Sequence, residues 1–177
     1  MYSVVTTRFN NETLASNYAY RLRHGYTCLY SCPLELSQKI YYGTPVFVIE
    51  MNNSTNKIEG IGLIKNKPET NRYYKVYLEG NRNRYTYIGN YFLDVKTIED
   101  YNSNLVHILE EILFKGYTHS KRGTGLTSIP EKVLKFDICQ GVDLKKEIKE
   151  MFVYHFRDKL KKENDNNLEK ITEENLL

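Results

Sequence analysis

Residues 43–65, GTPVFVIEMNNSTNKIEGIGLIK, decide the fold. Val46 and Val48 alternate with Phe47 and Ile49, so both faces of a first strand are expected to be buried. Asn52-Asn53-Ser54-Thr55-Asn56 is a dense turn signal. Ile58, Ile61 and Ile64 resume the apolar run as a second strand. Gly60 and Gly62 lie inside that strand, where glycine marks a bulge, a tight bend or the close approach of another group. A hairpin this apolar belongs at the centre of a sheet or barrel.

Outward from the hairpin, residues 2–7 read as a strand. Asn10 or Asn11 caps a helix that runs to about His24, with Gly25 just past its end. Leu14, Tyr18 and Leu22 are spaced four apart on one of its faces. Residues 26–31 form a short strand, and Pro33 opens a short helix to about Ile40. Residues 73–78 alternate as a strand, 79–84 turn, and 84–95 give a further strand or pair interrupted at Gly89-Asn90. Asp100 caps a helix to about Phe114 with Leu105, Ile108, Leu109, Ile112 and Leu113 at helical spacing. Residues 117–128 form a loop, and Pro130 opens another short helix. Residues 142–162 make the last helix, with a stripe of Leu144, Ile148, Met151, Phe152, His155 and Phe156.

A chain of 177 residues suits one domain, here residues 1–162, followed by a polar tail at 163–177 that is expected to be mobile. The hydrophobic fraction of 41% and charged fraction of 27% describe a globular protein. No apolar run approaches the ~20 residues of a membrane span, and the first residues lack a basic region followed by an apolar core. Three cysteines, Cys28, Cys32 and Cys139, suit a reduced intracellular protein that is not secreted. The tail holds five acids against Lys170 alone, a net −4, which leaves +7 of the overall +3 on residues 1–162. A basic body of this size suits a polyanionic partner. Sixteen tyrosines and no tryptophan, with frequent Asn, Lys and Ile, are what an AT-rich genome encodes.

The hairpin resembles that of the PUA-like superfamily, which includes PUA, ASCH, EVE and YTH modules. Val46-Phe47-Val48-Ile49 is similar to its first strand, Asn53-Ser54-Thr55-Asn56-Lys57 to its turn and Ile58-Glu59-Gly60-Ile61-Gly62 to its second strand. Tyr2-Ser3-Val4-Val5-Thr6-Thr7, followed by a helix, sits where that family begins. The resemblance covers roughly residues 2–95. It implies an α+β fold, a PUA-like mixed β-barrel with peripheral helices, here carrying a helical C-terminal extension. It also implies non-catalytic binding of DNA or RNA, with a flipped or modified base held between aromatic walls. Trp commonly builds the cage of methyladenosine readers; in its absence Tyr26 and Tyr30 would be the walls and Asn53 the rim.

Two basic-aromatic runs supply the remaining candidate contacts. Arg72, Tyr73, Tyr74, Lys75, Arg82, Arg84, Tyr85 and Tyr87 interleave over one turn. Lys115, Tyr117, His119, Lys121 and Arg122 surround the loop of Gly123 and Gly125. Cations supply phosphate contacts, aromatics supply stacking and glycines admit a close anion. Arg82, Arg84, Tyr85, His119, Lys121 and Arg122 are therefore expected at a nucleic-acid surface.

Two other readings start from the same residues. Lys121-Arg122-Gly123-Thr124-Gly125-Leu126 resembles the pyrophosphate loop of GNAT acetyltransferases, which would imply acetyl-CoA at the start of a following helix. The last helix and acidic tail suit an intracellular, viral-type protein-interaction module. No Walker A loop, catalytic triad or second cysteine pair at zinc spacing is present, so no catalytic residue, cofactor or metal is expected.

Overall fold

The computed structural model describes residues 1–117, 119–135 and 141–166. Cys139 and residues 167–177 of the tail lie outside the described residues. The strands are β1 (Ser3–Phe9), β2 (Cys28–Cys32), β3 (Pro45–Asn52), β4 (Lys57–Lys65), β5 (Tyr85–Gly89), β6 (Tyr91–Asp94) and β7 (Thr127–Ser128). The helices are α1 (Asn11–His24), α2 (Val95–Phe114) and α3 (Leu144–Asn166). The fold is mixed α+β. Five strands form one sheet in the order β6-β4-β3-β1-β7, and β2 and β5 form a separate antiparallel pair. Among the described residues the strands form two open sheets and do not close into the expected barrel.

The β3–β4 hairpin is the middle of the large sheet, as its apolar run predicts. β3 is buried along its whole length. The register slips between Glu50 and Met51, with Glu59 the extra residue opposite. β1 joins the other side of β3 in parallel, Ser3 opposite Val46 through Phe9 opposite Asn52. Successive side chains of β3 point to opposite layers. Phe47, Ile49 and Met51 join the core beneath α2 and α3. Val46 and Val48 join the core beneath β2 and β5. The sheet is therefore the middle of three layers.

Gly62 and Gly89 bring the small pair against the large sheet, and Gly60 admits the Phe92 ring of the neighbouring strand β6. An added Cβ at Gly62 would lie 2.2 Å from Tyr30 Oη, one at Gly89 2.0 Å from the Leu63 carbonyl oxygen, and one at Gly60 2.5 Å from Phe92 Cζ. The glycines expected to mark a close approach mark one between a strand and its own core.

α1 begins and ends as expected. Asn10 accepts from Thr13 N, Thr13 answers by accepting from Asn10 N, and Gly25 closes the helix at φ 72°. Its buried face differs from the expected apolar one. Leu22 is 87% exposed, whereas Asn17 and Arg21 are buried. The reason is Glu50, which points from β3 into the same layer and is fully buried. Its carboxylate accepts from Arg21 Nη1 at 2.9 Å, Tyr18 Oη at 2.7 Å and Tyr30 Oη at 2.8 Å. Arg21 also donates to the Thr27 carbonyl and lies over the rings of Phe92 (4.3 Å) and Tyr18 (4.8 Å). Burial pushes the Glu50 carboxyl above the usual range, against the pull of Arg21 and the two hydroxyls.

Other departures have local causes. Residues 33–40 are irregular rather than helical. Residues 73–78 form no strand, because a side chain meets their backbone needs: Asn83 Oδ1 accepts from Val76 N and Tyr77 N, and its Nδ2 donates to the Tyr77 carbonyl. α2 starts before Asp100, capped by Asp94, and is broken at Asn102 (φ −157°, ψ 93°). Asn102 Oδ1 caps the second segment by accepting from Asn104 N and Leu105 N, so the periodic residues 105–113 form a helix with its own start. Among the described residues, the helix expected after Pro130 is a 3-10 turn at Val133–Lys135. In α3 the expected stripe is buried from Leu144 to Phe152, whereas His155 is exposed beside Tyr101.

Candidate functional site

A cleft of about 290 Å³ opens where the C-terminal end of β1 meets β2, the turn at 79–82 and the glycine loop. Thr7, Arg8 and Phe9 come from β1, Ser31 and Cys32 from β2, and Tyr77, Glu79, Asn81 and Arg82 from the segment ordered by Asn83. Gly123, Thr124 and Gly125 close it. The volume lies at the lower end of small-ligand pockets, on the order of 300–1,000 Å³.

Arg8 dominates the cleft electrostatically. Its Nε donates to the Ser120 carbonyl, its Nη1 to the Gly125 carbonyl at 3.2 Å and its Nη2 to Thr6 Oγ1 at 3.3 Å. All three acceptors are neutral, and no carboxylate among the described residues pairs with it. Burial lowers its pKa from the ordinary guanidinium value, the signature of a cation that has given up water. Gly123 must be small here: φ is 130°, and an added Cβ would lie 3.1 Å from Arg8 Nη2. The loop thus wraps the guanidinium.

The expected site residues divide. Arg82 lines the cleft, with Nε donating to Glu79 Oε2 at 2.5 Å. Lys121 and Arg122 flank the wrapping loop without lining the cleft. Asn53 is a loop anchor rather than a rim residue. Its backbone N–H donates to the Phe9 carbonyl at 2.7 Å and its Nδ2 to the Lys121 carbonyl at 3.0 Å, while its Oδ1 is buried without a partner among the described residues. His119 is half-buried, with Nδ1 likewise unpartnered.

The tyrosine walls are placed elsewhere. Tyr30 is 2% exposed and committed to Glu50, so no face is open for stacking. Tyr26 is half-buried in a cluster with Tyr20, the buried Tyr74 and the exposed Arg72. Arg84 is exposed over the Tyr85 ring at 5.4 Å. Neither of those two residues lines the cleft.

The sequence reading missed Arg8 and Phe9. The signal for Arg8 was present: it is the lone charge in the strand SVVTTRF, next to its last residue. Its relation to Gly125 lies 117 positions away and has no local trace.

Cys32 lines the cleft, but burial pushes its thiol up to about 11, and its Sγ donates to the Leu34 carbonyl at 3.1 Å. That sulfur is a protonated thiol at neutral pH, not a nucleophile. Among the described residues no group of three or more His, Cys, Asp or Glu is arranged to hold a metal, and no helix is long and apolar enough to cross a membrane. No known protein family, curated protein or solved structure matches the chain.

Proposed function

We propose that the protein is a nucleic-acid-binding module and that the Arg8 cleft takes one nucleotide. The observation that carries this reading is the half-buried Arg8 guanidinium, without a carboxylate partner among the described residues, at the edge of a nucleotide-sized cleft. A desolvated cation gains most from an anion that enters beside it. Arg82, paired with Glu79, lines the same cleft as a second cation, and the glycine loop offers backbone without side chains in the way. A phosphate fits these groups, and Phe9 and Tyr77 supply the apolar side of the cleft for a base or sugar.

We infer further that the architecture is an open variant of the PUA-like barrel. What supports this is the approach of β2–β5 to β4 through Gly62 and Gly89, which makes the two sheets share one interior. A flipped or modified base is the ligand that this likeness implies. The acetyltransferase reading loses support, because the glycine loop leads into β7 rather than a helix N-terminus.

Fluorescence anisotropy of the full chain with labelled oligonucleotides across a salt series tests the proposal. Saturable binding should weaken with salt, and Arg82→Gln should lower the slope for a single strand by about 0.7. Absence of binding to every oligonucleotide at low salt would overturn it, and acetyl-CoA would be the next titrant.

A further inference from the structure

A second groove, of about 370 Å³, lies on the far side of Tyr77 from the cleft. Its floor is one face of α1: Ser16, Ala19, Tyr20 and Arg23 are spaced i, i+3, i+4 and i+7. Lys75, Val76, Tyr77 and Leu78 form the opposite wall. Tyr77 lines both cavities, so the cleft and the groove are neighbours across a single side chain.

The groove is basic and aromatic. Arg23 and Lys75 are exposed, and among the described residues neither is paired with a carboxylate. Tyr20 continues into a ladder of rings. It stacks on Tyr26 at 6.4 Å and 5°, Tyr26 meets Tyr74 at 6.3 Å, and Arg72 lies over Tyr74 at 4.7 Å. Two exposed cations without carboxylate partners among the described residues, beside the half-buried rings of Tyr20 and Tyr26, match a single-stranded polyanion, whose phosphates take the charges and whose unpaired bases meet the open edges of the rings.

Resting on the nucleotide-cleft reading above, we propose that the ligand is a single strand rather than a free nucleotide or a duplex. One nucleotide sits in the Arg8 cleft, and the strand crosses Tyr77 into the groove, where Arg23 and Lys75 hold its next phosphates. A duplex cannot follow this path, because its paired bases are not free to face the tyrosines.

The test compares the full-length wild type with the double variant Arg23→Gln/Lys75→Gln. Both side chains are exposed, so the fold is not at stake. The probes are a labelled dinucleotide, a labelled single strand of about eight nucleotides, within the usual site size, and the same strand as a duplex. The double variant should bind the dinucleotide as wild type does. It should bind the longer strand about tenfold more weakly, with a salt slope lower by about 1.4. Unchanged affinity and slope for the longer strand, while Arg8→Ala weakens it, would overturn the path and leave the cleft reading standing. Preference for the duplex would also overturn the path. No binding of any probe by the wild type would overturn both.

Discussion

Arg21 Nη1 and Glu50 Oε1 meet at 2.9 Å with side-chain exposures of 8% and 0%. The pair joins α1 to the central strand and explains why that helix turns a polar face inward. Removing one partner leaves an uncompensated buried charge, which costs about 3–5 kcal/mol, whereas replacing both with apolar groups is often neutral. Arg21→Met should therefore destabilise the protein by about that amount in urea unfolding. The double variant Arg21→Met/Glu50→Met should recover only part of the loss, because the Tyr18 and Tyr30 hydroxyls then lose their acceptor. Equal destabilisation by the single and double variants would show that packing, not charge, sets the cost.

Alkali should unfold this protein more readily than its neutral stability suggests. Burial pushes the thiols of Cys28 and Cys32 up to about 12 and about 11, and the Tyr87 hydroxyl up to about 12. In the unfolded chain thiols titrate near about 8.5 and phenols near about 10. The folded values are raised, so their stabilising contribution is complete below about pH 8.5 and is lost as pH climbs toward the folded values. Each group steepens the fall by about 1.4 kcal/mol per pH unit within its window. Urea midpoints between pH 8 and 11 should drop steadily, and native-state alkylation of Cys28 and Cys32 should be slow at pH 8. A flat midpoint would show that these groups ionise without unfolding.

Gly62→Ala should act on the buried network rather than on β4 itself. The new methyl would collide with Tyr30 Oη, and the tyrosine can yield only by leaving Glu50. Overpacking of this kind costs about 1–3 kcal/mol. Tyr30→Phe in the same background removes the colliding oxygen and should restore part of the stability. If it adds a further loss instead, the methyl is accommodated elsewhere.

Asn83→Ala should loosen the segment that separates the cleft from the groove. Two amides and a carbonyl of residues 76–77 depend on this one side chain. Each buried group left unmet costs about 1–3 kcal/mol, offset where water can enter. Hydrogen exchange at Val76 and Tyr77 should accelerate far more than exchange in β3. Uniform acceleration across both would instead mark a global loss of stability.

What could be read ahead of the structure followed short-range pattern. The central hairpin, α1 with its caps, and the periodic half of α2 all depend on neighbours within a few residues. The misreadings arose where a distant polar group intervened. Asn83 diverted residues 73–78 from strand pairing, and Glu50 reversed the inward face of α1. Tyr30 looked like a base wall because its residue type is right, but its hydroxyl is held by a carboxylate that only the β3 register reveals. The candidate cleft was half visible, through Arg82 and the glycine loop. Arg8 was hidden because two of its three acceptors, Ser120 and Gly125, lie 112 and 117 positions downstream.

That separation also sets an order of assembly during synthesis. The β3–β4 hairpin and α1 are complete once residue 65 has emerged, and they contain every residue of the Arg21–Glu50 pair. β1, by contrast, is flanked by β7, and Arg8 is wrapped by carbonyls at Ser120 and Gly125, 112 and 117 positions downstream. Contacts this distant form late. A nascent chain stopped before the glycine loop would carry a folded hairpin and an exposed Arg8, but no cleft; the cleft comes into being only when the chain has grown past residue 125.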